Sequence, residues 1–267
     1  TEGALGDERE IIRQMQFGGV DFARVSLSPL SEVIPKLNVL QMPYLYVNSE
    51  HMWNVLEGEI GEEFLDSFGG SYLVALSWYD AGARSFYSSQ KPIQNLKDIQ
   101  GMKIRVQESE LMWDMIKALG AEPVFLTYEE VYSAFQTGTI EAAENSWSSY
   151  ESAGHYEVAP YFTVDEHSRV PEVQMVSEVT WNKLPEEYQE IIRQCARESA
   201  KYEREVWDRR QEVSKKKVIE AGCQVVTMDP SEISQFRQAV QPLYEKFCAD
   251  YLDIISQIVE EGKKFES

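Results

Sequence analysis

The stretch GMKIRVQESELMWDMIKALG, residues 101–120, changes period half-way along. Met102, Ile104 and Val106 alternate with Lys103, Arg105 and Gln107, the two-residue period of a strand whose faces differ. From Glu110 the pattern becomes that of a helix, closed by Gly120. A strand running into a helix is one α/β unit. It also sets a question: whether Arg105 is a solvated charge on an outer face or points into a site that needs a cation.

Outward from this unit the same alternation continues. Downstream, TYEEVYSAFQTG reads as a helix with a Thr127/Glu130 capping box and Gly138 as its stop, followed by TIEAAEN as a short strand and VPEVQMVSEVT as a longer one. Upstream, ARSFYS and the apolar SYLVALSWY read as strands, SEHMWNVLEGEIGEEFLDSF as helix and VDFARVSLS as strand. The opening LGDEREIIRQMQFGG reads as a helix capped by Asp7, with Glu10 completing a capping box and Gly18–Gly19 ending it. Strands separated by amphipathic helices predict parallel α/β units with ligand sites at strand ends.

After Leu184 no Gly or Pro interrupts the chain between Pro185 and Gly222. Tyr188, Ile191, Ile192, Cys195, Val206, Val213 and Val218 approximate a helical stripe. A helix of about 36 residues would be on the order of 54 Å long, more than one small domain. It is expected to run along two lobes, with a break near Ala200 as the competing reading. A last helical region begins at Asp229–Pro230 and bends at Pro242.

Composition sets outer limits. The 267 residues, 43% hydrophobic and 26% charged, suit a globular chain of one or two domains. No apolar run approaches the ~18–20 residues of a membrane span. No signal-like segment opens the sequence, so any such leader is expected to have been removed. The net charge of −20 makes nucleic acid and anionic membranes poor partners, without excluding an anionic small ligand in a locally positive pocket. The three cysteines form no CxxC pair; Cys195 and Cys248 are expected in the core.

No phosphate-binding loop, GxGxxG or GxSxG is present, and His51, His155 and His167 lack metal-ligand spacing. No cofactor or metal is expected. The positive signals are local: Arg84 opens a strand behind Gly82, Arg105 lies on the next strand, and Asn145 and Trp147 follow a third. Two arginines, an asparagine and aromatics at strand ends suit a carboxylate bearing hydroxyls. By residue type alone, each arginine reads as a surface or ion-pair residue ahead of a ligand contact.

LGDEREIIRQMQFGGVDFARVS, GMKIRVQESELMWDMIKALGAEP, YEEVYSAFQTGTIEAAENSW and LPEEYQEIIRQ occur in an order and spacing that resembles the DctP family, the periplasmic solute-binding proteins of tripartite ATP-independent (TRAP) transporters. The resemblance runs from Leu5 to Phe247. It implies an α/β fold of two lobes hinged about a ligand cleft, with a long helix spanning both. Lobe I is expected to comprise residues 1–81 and 171–210, and lobe II residues 82–170 and 211–267. Family members begin with a strand, a helix and a second strand before the LGD motif. This chain starts near that motif, so a preceding segment is expected to be missing.

The resemblance also implies site roles. Arg105 matches the arginine that bears the ligand carboxylate, Arg84 a second cleft arginine, Asn145 the asparagine of the strand-end motif, and Tyr128 the aromatic that packs on the ligand. By spacing, Glu8, Ser26, Glu108 and His167 join them, with Trp147 as a further aromatic. QESELM, ENSWSSY and DEHSRVPEV resemble the branch that takes hexuronates such as glucuronate or galacturonate, with Glu8, Glu108, Asn145 and Glu166 or His167 as hydroxyl partners. A C4-dicarboxylate or other organic acid is the alternative ligand. The implied partners are the small and large membrane subunits of the transporter, and the implied location is the periplasm. No enzymatic activity is expected; a sugar-acid lyase or isomerase is the rival class, and a receptor's ligand-sensing domain a third.

Overall fold

The computed structural model describes residues 5–266. Nine strands are present among them: β1 (Phe22–Ser26), β2 (Leu73–Tyr79), β3 (Ala83–Ser88), β4 (Lys103–Val106), β5 (Glu122–Phe125), β6 (Ala142–Asn145), β7 (Tyr161–Arg169), β8 (Glu172–Ser177) and β9 (Gln224–Thr227). They form two sheets, one of three strands in the order β1-β8-β2 and one of six in the order β5-β4-β6-β3-β7-β9. The chain passes between them at Asp80–Gly82, joining β2 to β3, and at Val170–Pro171, joining β7 to β8.

The expectation of parallel units holds only in part. β4 pairs in parallel with β5 and β6, and β7 with β9, whereas β1–β8, β2–β8, β3–β6 and β3–β7 are antiparallel. The physical reason lies in the connections. Helices Glu110–Ala118 and Val131–Gln136 join β4, β5 and β6, and such crossovers are what parallel neighbours require. β2 and β3, consecutive in sequence, go instead to different sheets.

Local chemistry fixes the element ends. Asp7 caps the helix Glu8–Gln16, its side chain accepting from the Glu10 N–H while Glu10 returns the bond to the Asp7 N–H. The segment 49–68 is two helices, Ser49–Leu56 and Glu59–Asp66, with Gly58 between them. Gly82 adopts φ +76°, and a Cβ there would meet the Gln211 amide of the long helix at 1.7 Å. Gln211 in turn accepts from the Ser148 N–H at 2.8 Å, so the crossing between the sheets is held directly against that helix.

The long helix Glu186–Glu220 is unbroken over 35 residues, roughly 52 Å. One end is tied to the three-stranded half, where Tyr79 Oη and Ser199 Oγ are 2.8 Å apart. The other is tied to the six-stranded half through Glu151, which takes Arg210, Lys217 and the Ser214 hydroxyl. Its expected apolar stripe is a correction. The buried positions are Ala196, Ala200, Ser214 and Val218, while Tyr188, Ile191, Cys195, Val206 and Val213 are exposed. Small residues face inward because the helix lies close against the sheets and leaves no room for large ones. Cys195 is thus a surface thiol; Cys248 is buried, and all three cysteines are unpaired.

The C-terminal region divides at Pro242 into helices Pro230–Val240 and Pro242–Cys248, followed by Leu252–Gly262. This last helix departs from the expected lobe II. Ile255 and Ile258 are buried, and the Ile258 carbonyl lies 2.9 Å from His51 Nε2 of helix Ser49–Leu56. The chain end therefore packs on the three-stranded half, because its apolar face finds its cover there.

At the crossing, Asp80 is 3% exposed. Its carboxylate accepts from Trp53 Nε1 at 3.0 Å and from the Gly82 N–H at 2.7 Å, and its own N–H donates to Glu203 of the long helix at 3.0 Å. Desolvation, aided by the Asp80 charge and opposed by the Asp80 N–H, Arg24 and Arg204, pushes the Glu203 carboxyl up to about 7. A raised carboxyl contributes stability below its unfolded value, near 4.5, and loses it as pH rises through 7. Glu203→Gln keeps the acceptor for Asp80 and removes the charge. Its melting temperature is expected to be unchanged near pH 4.5 and higher than wild type at pH 8. Parallel pH profiles for the two proteins would refute this account.

Candidate functional site

A cavity of about 440 Å³ opens between the two halves, within the usual size range for small-ligand sites. It is lined from one side by Glu8, Arg9, Arg24 and Ser26, from the other by Arg84, Arg105, Gln107, Glu108, Tyr128 and Asn145, and by Trp207 of the long helix. Seven of the nine residues expected from the sequence therefore converge on it: Glu8, Ser26, Arg84, Arg105, Glu108, Tyr128 and Asn145.

Arg105 answers the question set by the alternation on β4. Met102, Ile104 and Val106 are buried in the core and Lys103 is exposed, but Arg105, on the same face as Lys103, is only 3% exposed. Its Nε donates to the Leu126 carbonyl at 2.9 Å. Among the described residues no carboxylate pairs with it, and its two terminal nitrogens have no hydrogen-bond partner. Burial lowers its pKa, countered by the Glu144 charge.

The other cavity arginines are engaged. Arg9 contacts Glu108 at 3.3 Å, and Arg24 pairs with Glu172. Arg84 gives Nε and Nη2 to the Glu144 carboxylate and Nη1 to Asn145 Oδ1 at 3.3 Å. Asn145 Oδ1 also accepts from the Ser146 N–H. With its oxygen committed, Asn145 has its amide NH2 left, for which the described residues provide no partner. The Glu8 carboxylate accepts from the Ser26 N–H at 2.8 Å; burial raises its pKa against the pull of that bond and of Arg24, Arg105 and Arg84. The Tyr128 hydroxyl donates to the Ser149 carbonyl at 2.7 Å, which fixes the ring at the cavity wall.

Two expected residues do not line the cavity. Trp147 stacks on Phe162 at 3.7 Å between ring centroids, packed against the apolar core around Tyr87, Tyr150 and Phe162. It follows Asn145 by two positions but already begins a helix, Trp147–Ser152, that turns it away. His167 is fully buried, stacked on Phe86 at 4.2 Å, with Nδ1 2.9 Å from Asp165 Oδ2 and Nε2 3.5 Å from Glu144 Oε2. It braces Glu144 and so acts behind the site. Glu166 is exposed and paired with Arg169.

This backing arises from an irregularity in β7. Its pairing with β3 slips between Arg84/Ser168 and Phe86/Thr163, and Glu166 sits there at φ +43°. The bulge turns both Asp165 and His167 inward. Burial alone lowers a histidine's pKa, but Asp165 and Glu144 outweigh it and hold His167 at about 9. Glu144 is pulled down to about 2, because Arg84 and His167 overcome the cost of burial. Arg9, Gln107, Glu144 and Trp207 were not expected in or behind the site. Gln107, just past the end of β4, continues the face of Arg105, a signal the alternation already contained. Trp207 has no local signal, since only the tertiary course of the long helix brings it to the cavity.

Two α/β halves joined by crossing strands, with a cation-bearing cleft between them, define a solute-binding protein. The chain belongs to the DctP family, bacterial extracellular solute-binding protein family 7, which matches residues 1–250. It is 36% identical to a solute-binding protein of Chromohalobacter salexigens over 256 residues, 96% of this chain and 76% of the relative. Among solved structures it resembles a TRAP periplasmic solute-binding protein from Bradyrhizobium sp. BTAi1 in complex with α/β-D-galacturonate, with TM-score 0.92 and 41% identity over 98% of this chain and 86% of that one. It likewise resembles one from Pseudomonas putida F1 with bound D-glucuronate, with TM-score 0.93 and 39% identity over 96% and 83% of the two chains. Among the described residues no helix is long and apolar enough to cross a membrane.

Proposed function

We propose that this chain is the periplasmic component of a TRAP transporter that captures a hexuronate, D-glucuronate or D-galacturonate, or a closely related sugar acid, and delivers it to the small and large membrane subunits. One observation carries the reading: Arg105 is a buried arginine that faces the cavity with no carboxylate partner among the described residues. Its two terminal nitrogens offer the planar fork that binds a carboxylate bidentately. Arg84 supplies Nη1 and positions Asn145, whose amide NH2 donates to the same ligand. Tyr128 covers an apolar face of the sugar ring, and Ser26, Glu8 and Glu108 meet its hydroxyls.

The charge pattern favours a monoacid over a C4-dicarboxylate. Arg9, Arg24 and Arg84 each already hold a glutamate, so a second ligand carboxylate would find Glu8, Glu108 and Glu172 rather than a cation. The relatives with bound galacturonate and glucuronate support the same class. Binding proceeds by closure of the two halves around the acid, with no chemical step.

A thermal-shift panel of uronates, aldonates and dicarboxylates tests this. A uronate at 100 times its Kd is expected to stabilise the protein by about 2.7 kcal/mol, succinate and malate at equal concentration by much less. A dicarboxylate outranking every uronate would overturn the ligand class. Conversion of the uronate during incubation would overturn the binding-protein role.

A further inference from the structure

The loop that follows β4 is held from the opposite half of the molecule at two points. Arg9, on the first turn of helix Glu8–Gln16, donates from Nη2 to the Glu108 carbonyl at 3.0 Å, and its Nε lies 3.3 Å from the Glu108 carboxylate. Glu32, in the turn after Leu30, accepts the Glu110 N–H at 2.9 Å. Arg9 and Glu32 belong to the three-stranded half, Glu108 and Glu110 to the six-stranded half.

The second contact has the form of a helix cap. Glu110 is the first residue of helix Glu110–Ala118, and first-turn N–H groups have no partner within their own helix. Ser109, at the N-cap position, makes no side-chain capping bond; its hydroxyl is buried without a hydrogen-bond partner among the described residues. The carboxylate that serves this helix start comes instead from across the cleft. It also places a negative charge where the helix dipole favours one. The Glu110 N–H thus has its carboxylate acceptor only while the halves are together.

We propose that Arg9 and Glu32 form a two-point latch that holds the closed cleft through the segment Glu108–Glu110, and that this latch sets how long a ligand is retained. This rests on the reading of the cleft as a sugar-acid site that closes on its ligand. The placement is economical: Arg105, which grips the acid, and Glu108–Glu110, which are gripped by the other half, are three to five residues apart on one strand and its loop. Glu32 does not line the cavity, so its contribution is separable from ligand contact.

The latch acts in the closed state and not on encounter, so its removal raises the dissociation rate and leaves association nearly unchanged. Stopped-flow measurement with the hexuronate that the wild type binds tests this. Glu32→Ala and Arg9→Ala are each expected to raise the dissociation rate by about tenfold, with association rates within about twofold of wild type. Glu32→Gln, which keeps an acceptor for the Glu110 N–H, is expected to recover most of the retention. A merely structural role for Glu32 would lower the melting temperature of the ligand-free protein without this split between the rates. Variants that release ligand at the wild-type rate, or a Glu32→Gln that behaves as Glu32→Ala, would overturn the latch alone. A wild type that binds no sugar acid would overturn the reading of the cleft on which the latch rests.

Discussion

Arg105→Ala is expected to lose about 2–5 kcal/mol of sugar-acid affinity, a weakening of roughly thirtyfold to several-thousandfold, while leaving the ligand-free protein about as stable as wild type. The two effects separate because of the arginine's surroundings. In the complex, its loss leaves a ligand carboxylate unpaired in a desolvated cleft. In the ligand-free protein the guanidinium is itself a buried cation without a carboxylate partner among the described residues, and burial already lowers its pKa. Removing it relieves that cost. The lost bond from Nε to the Leu126 carbonyl works in the other direction and is worth about 1 kcal/mol. Arg105→Lys is expected to bind nearly as poorly as alanine, because an ammonium cannot reproduce a planar fork. Calorimetry gives the affinities and thermal denaturation the stabilities. Wild-type affinity in both variants would remove Arg105 from the carboxylate role, and a collapse in melting temperature would make it a structural residue instead.

Arg105 also marks how far the sequence could be read. The change of period across residues 101–120 identified β4 and its helix, and the Asp7–Glu10 box placed the first helix. In each case the signal lies within a few residues of the element it specifies. The long helix Glu186–Glu220 was legible from an uninterrupted run, but its buried face was not. Alanine and serine at Ala196, Ala200 and Ser214 give no hydrophobic signal, although they are what lets the helix lie close to both sheets. β7 was hidden for a different reason. Its DEHSR end carries no alternating apolar pattern, and the pairing that makes Asp165 and His167 tolerable inside depends on Glu144 and Arg84, distant in sequence. Most of the site residues came through resemblance to the DctP family, since spacing alone did not distinguish a cleft arginine from a surface one. Trp147, expected from the local pattern, and His167, expected from spacing, both lie off the cavity wall, where a local turn or bulge decides which side a residue faces.

That hidden cluster carries the second large effect. Glu144→Ala is expected to destabilise the protein by about 3–5 kcal/mol, because it strips the carboxylate from two buried cations at once. Arg84 would keep only its contacts to the Asn145 side chain and the residue 144 carbonyl, and His167 would keep Asp165. Affinity for the acid should fall as well, since Arg84 would no longer hold Asn145 in place, and Glu144→Gln should show a smaller loss of both. A second signature comes from pH. His167 has a folded pKa raised to about 9, so its contribution is complete below the unfolded value near 6.5 and is lost as pH rises through 9. Glu144, depressed to about 2, contributes above its unfolded value and loses that contribution only as pH falls through 2. Wild-type stability should therefore decline between pH 6.5 and 9, by roughly 3 kcal/mol if the full shift is expressed. His167→Gln, which cannot titrate, should lack that decline while being less stable at pH 6. A His167→Gln protein that loses stability over this window as steeply as wild type would show that some other group titrates there. A Glu144→Ala protein as stable as wild type would mean that solvent reaches Arg84 and His167 once the carboxylate is gone.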